Sequence, residues 1–308
     1  MSRSSSSPLL VAAFAAIYLV WGSSFAATKY MVQTLPPFLA GGVRFAVAGL
    51  LLVAIASLRG IAIPRQPVEW RHMSLMALFH VVGSAGVNIL VMPHVASNQS
   101  ALLNATAALW IPLLGAMGRD RHPLTPRISA GLGIGFLGSG FLLWPHGGFS
   151  LGNFGWQMLI VFACLSWAVG TRYFRSIRTT TPTLMFFALE MLIGGTALSA
   201  TGIVLGEAAR WQPDGRSLAA LAFLTLFSSC LTYTAFGYLM SRTTPARLST
   251  YAYVNPAIAA VVGWLLLGER MSPPQLVGTA VILVGVVLVS LPDGWPVPRD
   301  AAPIEPTG

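Results

Sequence analysis

The sequence predicts an all-α polytopic membrane protein: ten transmembrane helices in two inverted five-helix repeats, with N- and C-termini both inside. Three observations carry that prediction. Only 9% of the 308 residues are charged against 55% hydrophobic, whereas soluble domains carry about 25% charge. Apolar runs recur at the length of about 20 residues that crosses roughly 30 Å of hydrocarbon. Residues of one half also return in the other at a nearly constant offset. Such a composition excludes a disordered tail protein and a nucleic-acid binder, and it opposes a soluble globular enzyme.

Basic residues set the orientation. Of eighteen, thirteen fall on one set of loops and helix ends: Arg3, Arg59, Arg65, Arg71, Arg119, Arg121, Arg127, Arg172, Arg175, Arg178, Arg242, Arg247 and Arg299. The other side holds Lys29, Arg210, Arg216 and Arg270, and Arg44 lies within a span. By the positive-inside rule the richer side is cytoplasmic, so the net charge of +9 is a topology signal. Connections are short, so neighbouring spans run antiparallel.

The spans follow in order. The first, 9–29, imitates a signal peptide, with Arg3, a serine run and a small-residue site at Ser24-Phe25-Ala26. Its apolar stretch continues to Lys29, so it reads as an uncleaved span, with Tyr18, Trp21, Ser24 and Thr28 aligned on one face. The second, 37–58, carries Arg44. In the third, 73–92, His80, Ser84 and Asn88 recur at i, i+4 and i+8 as one polar stripe. In the fourth, 98–117, Thr106 and Trp110 share a face and Asn104 points elsewhere. The fifth, 127–144, holds Gly131, Gly135 and Gly138, a spacing suited to close helix packing. Its Gly133-Ile134-Gly135-Phe136-Leu137-Gly138 fits a dinucleotide fingerprint but has no preceding strand.

In the second half, 155–174 aligns Cys164, Trp167 and Thr171, and 183–204 carries Glu190. The eighth span, 217–240, has Thr225, Ser229, Thr232 and Tyr233 on a comparable face. The ninth, 247–267, offers either Ser249 with Tyr253 or Tyr251 with Asn255; the tenth is 274–291. Residues 292–308 read as a disordered cytoplasmic tail. Cys164 and Cys230 sit in apolar runs as small buried hydrophobes. Trp70, Trp144, Trp211 and Trp295, at span ends, read as interfacial anchors.

Offset 146 relates Trp21 to Trp167, Pro36 to Pro182, Arg44 to Glu190 and Gly49 to Gly195. Offset 147 relates Thr125-Pro126 to Ser272-Pro273, Gly131 to Gly278 and Gly138 to Gly285. The repeats are therefore 1–150 and 151–291, and five spans being odd, the second enters from the opposite side. Inverted repeats meeting at a midplane site are the construction of secondary transporters.

The run Tyr18-Leu19-Val20-Trp21-Gly22-Ser23-Ser24-Phe25, with Leu35-Pro36-Pro37 and Arg44-Phe45, resembles the opening of the EamA family of the drug/metabolite transporter superfamily. Asn255-Pro256 and Leu267-Gly268-Glu269-Arg270-Met271-Ser272 resemble that family's Pro…Gly-Glu-Arg signature before its last span. In the first half that signature is replaced by Arg119-Asp120-Arg121, and Ala108 stands where a proline is usual. The resemblance covers residues 9–291 and implies a ten-helix exporter of amino acids or related metabolites, with its pathway between the halves.

The expected function is a secondary transporter that exports amino acids, aromatic ones included, or related small metabolites by alternating access through a central cavity. Trp21, Ser24, His80, Ser84, Asn88, Thr106, Trp110, Trp167, Tyr233 and Tyr253 are the expected substrate-binding residues. Aromatic rings there suit an amino acid side chain or ammonium, though packing and backbone bonding explain any one of them as readily. His80 and Glu190 are the candidate proton carriers. Arg44 and Glu190 lie each about 10 Å into their spans from opposite faces, which permits an ion pair; snorkelling of Arg44 as a structural charge is the preferred expectation. Alternatives are a membrane-embedded enzyme, a sensor, or a transporter of a sugar derivative or drug-like cation. Expected partners are a small-molecule substrate, the lipid bilayer of a bacterial inner membrane and, if coupled, protons. No cofactor, metal or nucleic acid is expected, and a monomer suffices.

Overall fold

A computed structural model of the protein describes residues 8–117, 125–143, 151–243, 248, 251–270 and 273–290. Among them every regular element is helical. Six helices are long and apolar enough to cross a membrane: α1 (Pro8–Met31), α2 (Pro37–Leu58), α3 (Pro67–Val91), α7 (Leu151–Ser176), α8 (Thr183–Val204) and α9 (Gly215–Arg242). The fourth, fifth, ninth and tenth predicted spans fall on α4 (Ser97–Asn104) with α5 (Ala107–Gly115), α6 (Pro126–Leu143), α10 (Tyr251–Leu267) and α11 (Pro273–Ser290). Helices are what such runs must form in lipid, because each closes its own backbone hydrogen bonds. The tail 292–308, Trp144, Trp295, Ser249, Arg247 and the Arg119-Asp120-Arg121 segment lie outside the described residues.

Proline sets several helix starts: α2 and α3 begin at Pro37 and Pro67, where a missing N–H is harmless. Three long helices are not uniform α-helix. π-helical turns occupy Ile17–Trp21 in α1, Ala77–Gly86 in α3 and Leu224–Leu231 in α9. The latter two stand at the same place in the two halves, since 77–86 displaced by 146 is 223–232. Such turns concentrate at functional sites. The fourth span is broken between α4 and α5, where Thr106, Ala108 and Leu109 donate to carbonyls three residues back and tighten the chain.

Helices α2 and α8 pack against each other, as do α6 and α11. Along α2 and α8, a Cβ on Gly49 would lie 2.6 Å from the Leu192 nitrogen, and one on Gly195 2.2 Å from that of Ala46. Along α6 and α11, a Cβ on Gly138 would lie 2.7 Å from the Ile282 nitrogen, and one on Gly285 2.5 Å from that of Gly135. Backbones approach this closely only where no side chain intervenes.

Carboxylates tie the two halves at helix N-termini, where first-turn N–H groups lack intrahelical partners. Gly206 (φ 71°) and Gly268 (φ 66°) adopt the left-handed turn that aims the following glutamate across. Glu207 Oε2 accepts from the Leu39 N–H at 2.7 Å, and Glu269 accepts from the Ser97 N–H and hydroxyl, each at 2.7 Å. In the other direction, Glu69 accepts from the Thr180 N–H (2.9 Å) and the Thr181 hydroxyl (2.8 Å) ahead of α8. Leu58, Val204 and Trp264, 89%, 85% and 61% exposed, belong to the outer apolar surface that lipid covers.

Candidate functional site

A cavity of about 150 Å³ opens among α1, α2, α3, α4, α7, α9 and α10. Counting 10–15 Å³ for each water-sized group, that is room for about ten of them, the scale of one amino acid.

One wall is aromatic. Trp21 and Trp167, 146 residues apart in the sequence, meet edge to face with centroids 5.7 Å apart and planes at 87°. Tyr251 stands 5.3 Å from Trp21 and accepts the Trp167 indole N–H at 3.1 Å. Tyr233 lies 6.0 Å from Trp21 and 5.9 Å from Trp167, and Phe236 fills behind both indoles at 5.4 and 5.2 Å. These separations fall in the favourable range for edge-to-face and offset rings. Gly22 lets α1 reach α10 here, since a Cβ on it would lie 2.7 Å from the Ile258 Cβ.

The other wall is polar. Asn104 donates to Asn88 Oδ1 at 2.7 Å, and Asn88 donates to the Ser84 carbonyl at 3.1 Å. Asn255, with its amide nitrogen turned toward α1, donates to the carbonyls of Tyr18 (3.2 Å) and Tyr251 (3.3 Å). Pro256 beside it removes a backbone donor inside α10. Ser24 and Thr28 line the cavity but spend their hydroxyls on the Trp21 and Ser24 carbonyls, both at 2.7 Å. Arg44 completes this wall: its Nε donates to Ser229 Oγ and its Nη2 to Ser228 Oγ, both at 3.0 Å, and its guanidinium lies 4.7 Å from the Phe45 ring centre.

Behind the aromatic wall lies a buried pair. His80 Nδ1 is 3.1 Å from Glu190 Oε1, and both side chains have no solvent exposure. The imidazole stacks on Trp167 at 4.2 Å, with Nε2 3.4 Å from the Thr171 hydroxyl. Glu190 Oε2 has no hydrogen-bond partner among the described residues. Gly170 makes room for the imidazole, since a Cβ there would lie 2.5 Å from His80 Cδ2.

Of the expected substrate-binding residues, Trp21, Ser24, Ser84, Asn88, Trp167 and Tyr233 line the cavity. His80 does not; it sits one layer back. The i, i+4, i+8 reading assumes 3.6 residues per turn, but His80 and Ser84 lie in a π segment whose i→i+5 bonds widen the turn and rotate the face. Thr106 turns its hydroxyl to the Leu103 carbonyl, and Trp110 packs on Phe136 at 5.1 Å, both away from the cavity. Asn104 takes their place because the tightened turn after it shifts the register of α4 against α5. On α10 the face presented is Tyr251 with Asn255; the side chain of Tyr253 lies outside the described residues.

Arg44 corrects another expectation. It is 7% exposed and bound to two serines, so it does not snorkel. Nor do Arg44 and Glu190 pair: His80 holds the glutamate. Ser228 was missed altogether, being out of phase with the Ser229 and Tyr233 face until the π turn brings it forward. Cys164 and Cys230 are free thiols, and among the described residues no His, Cys, Asp or Glu cluster could hold a metal.

Comparison with known proteins gives a consistent picture. The model of the EamA-like transporter family matches the chain twice, over residues 7–144 and 154–291. The "Uncharacterized inner membrane transporter YedA" of Escherichia coli (strain K12) is 33% identical over 92% of this chain and 91% of its own length. The "WAT1-related protein At3g02690, chloroplastic" of Arabidopsis thaliana is 28% identical over 90% of this chain and 68% of its own. The "S-adenosylmethionine/S-adenosylhomocysteine transporter" of Chlamydia muridarum is 26% identical, covering 88% of each. A solved structure described as "Crystal structure of protein" shares the fold, with TM-score 0.67 at 21% identity over 94% of this chain and 97% of that one.

Proposed function

Because the chain belongs to the EamA-like transporter family, we propose that it exports amino acids, aromatic ones included, or related small metabolites across a bacterial inner membrane. It does so as a ten-helix secondary transporter with both termini inside. Residues 1–150 and 151–291 form its inverted repeats, and 292–308 a cytoplasmic tail. The double family match, the π turns at equivalent places in α3 and α9, and the packing of α2 on α8 and α6 on α11 all favour this arrangement.

The observation that carries the reading is the amino-acid-sized cavity between the halves, walled by Trp21 and Trp167. With the arginine-rich loops inside, Ser24, Thr28, Asn88 and Asn104 lie on the outer side of the aromatic layer. Trp167, Tyr251 and Phe236 then close the inner path, and the Glu69 contacts to Thr180 and Thr181 hold the inner face together. Alternating access would part these contacts and form their counterparts outside. His80 and Glu190 are the candidate coupling pair, since the imidazole stacks on Trp167 and would shift with that ring if cargo displaced it.

Counterflow of labelled L-phenylalanine in proteoliposomes tests the reading, with a panel of unlabelled amino acids as exchange partners. Exchange by aromatic and large apolar amino acids supports it; no exchange by any member overturns it. A second reading follows from the Chlamydia muridarum relative, whose named cargo is itself an amino acid derivative. Adding S-adenosylmethionine to the panel separates the two.

A further inference from the structure

We infer that Arg44, with Ser228 and Ser229, is a subsite for a carboxylate on the transported molecule, so that the cavity selects carboxylates and excludes simple organic cations. The inference rests on the transport reading only in taking the cavity as the pathway.

Among the described residues lining the cavity, Arg44 is the one that is charged, and it is 7% exposed. A guanidinium offers five N–H donors and no acceptor. Two are used, toward Ser229 Oγ and Ser228 Oγ at 3.0 Å each. The other three have no acceptor among the described residues, and no carboxylate lies within 4.0 Å. A desolvated cation without a neutralising anion is costly in a membrane interior and marks a functional position. Its repeat equivalent, Glu190, is already engaged by His80.

The serines sharpen the chemistry. A serine or threonine within a helix ordinarily donates to the carbonyl one turn back. Thr225, Thr232 and Thr234 of the same helix do so, toward Leu221, Ser228 and Cys230. Ser228 and Ser229 instead accept from Arg44, and neither hydroxyl proton has an acceptor among the described residues. They lie in the π segment Leu224–Leu231. The corner thus concentrates donors: three guanidinium N–H groups and the hydroxyl of Ser228, a residue that lines the cavity, with the Tyr233 phenol beside them. Two oxygens of a planar carboxylate match such a fork.

The aromatic wall adjoins it. The Trp21 indole donates to the Ser228 carbonyl at 3.2 Å, and Phe45 meets Tyr233 at 5.9 Å. A molecule seating its carboxylate on Arg44 would lay its apolar part against Trp21 and Tyr233. Among the described residues no acidic side chain lines the cavity to receive a cation in the same way.

The test measures binding to the full-length protein in detergent, by ligand-induced thermal stabilisation and titration calorimetry. Four probes differ only in the groups at issue: L-phenylalanine, 3-phenylpropanoate, L-phenylalaninamide and phenethylamine. The two carboxylates should bind at least about tenfold more tightly than the amide and the amine. Arg44→Gln should abolish that preference, and Arg44→Lys should restore part of it. If Arg44→Gln does not fold, the comparison on the parent protein decides together with Ser228→Ala, which should weaken the carboxylates alone. Equal binding of phenethylamine and phenylalanine, no carboxylate binding at all, or an undiminished preference in a folded Arg44→Gln overturns the inference. Arg44-dependent binding of 3-phenylpropanoate without exchange of any amino acid leaves the subsite standing and removes the export reading. Exchange of amino acids that is indifferent to Arg44→Gln does the reverse.

Discussion

Gly170→Ala is the sharpest single perturbation of the buried pair behind the aromatic wall. The added Cβ would lie 2.5 Å from His80 Cδ2, 2.7 Å from its Nε2 and 3.1 Å from the Phe79 Cβ, against 3.4 Å for an ordinary contact. The ring must therefore move by about 0.9 Å, and it has nowhere easy to go. Trp167 stacks on one face at 4.2 Å, and Glu190 holds Nδ1 at 3.1 Å. Overpacking of this kind costs about 1–3 kcal/mol, enough to lower the melting temperature of a chain this size by several degrees. Thermal unfolding of the purified protein measures that loss, and counterflow across a range of pH shows whether transport changes with it. Gly155→Ala, in the same helix with nothing within 4 Å of the added carbon, is the control and should be neutral to slightly stabilising, since alanine is the better helix former. Combining Gly170→Ala with His80→Ala should cost less than the sum of the two, because the smaller side chain vacates the space. Full additivity, or a Gly170→Ala protein with unchanged melting temperature and transport, would refute the placement of His80 against α7.

Gly195→Ala should be worse tolerated than Gly170→Ala, because its Cβ would lie 2.2 Å from the backbone nitrogen of Ala46 rather than against a side chain; the yield of monodisperse protein reads this. Trp167→Ala should impair transport in folded protein, whereas Trp110→Ala, on a ring packed against Phe136, should alter stability without changing substrate preference. His80→Ala should impair transport if the pair couples it; unchanged transport in both His80→Ala and Trp167→Ala would return the two residues to packing. Asp214 caps α9, and the Ser217 N–H and hydroxyl hold its carboxyl below the usual aspartate range. That cap contributes fully above the unfolded-state value near about pH 4 and is lost as pH falls through the lower folded value. The stability difference between Asp214→Ala and the parent should therefore shrink in acid, and a difference constant through that range would contradict the capping role.

What was legible beforehand follows from how each signal is encoded. Trp21 and Trp167 were singled out by their offset of 146 and meet in the structure. Ser84 and Asn88 reach the cavity because the π segment ends at Gly86, leaving the last part of the polar stripe nearly in phase. His80, nearer the start of that segment, is rotated out of phase with them. Thr106, Trp110 and Asn104 exchanged roles for a comparable reason, a tightened turn that helical periodicity cannot foresee. The anion corner was illegible: Arg44 was visible as a charge inside a span, but its serine partners are 184 and 185 residues away.

The sequence by itself determined that the chain is helical, where its apolar runs begin and end, and which positions correspond between its halves. Those are local or periodic properties, summed over neighbouring residues and set by the need to satisfy backbone groups within each span. Only the tertiary structure decided which face of each helix meets the cavity, which charge takes which partner and which glycines give way to a neighbour. These depend on helix register, where one π or tightened turn rotates everything beyond it, and on contacts between residues far apart in the chain.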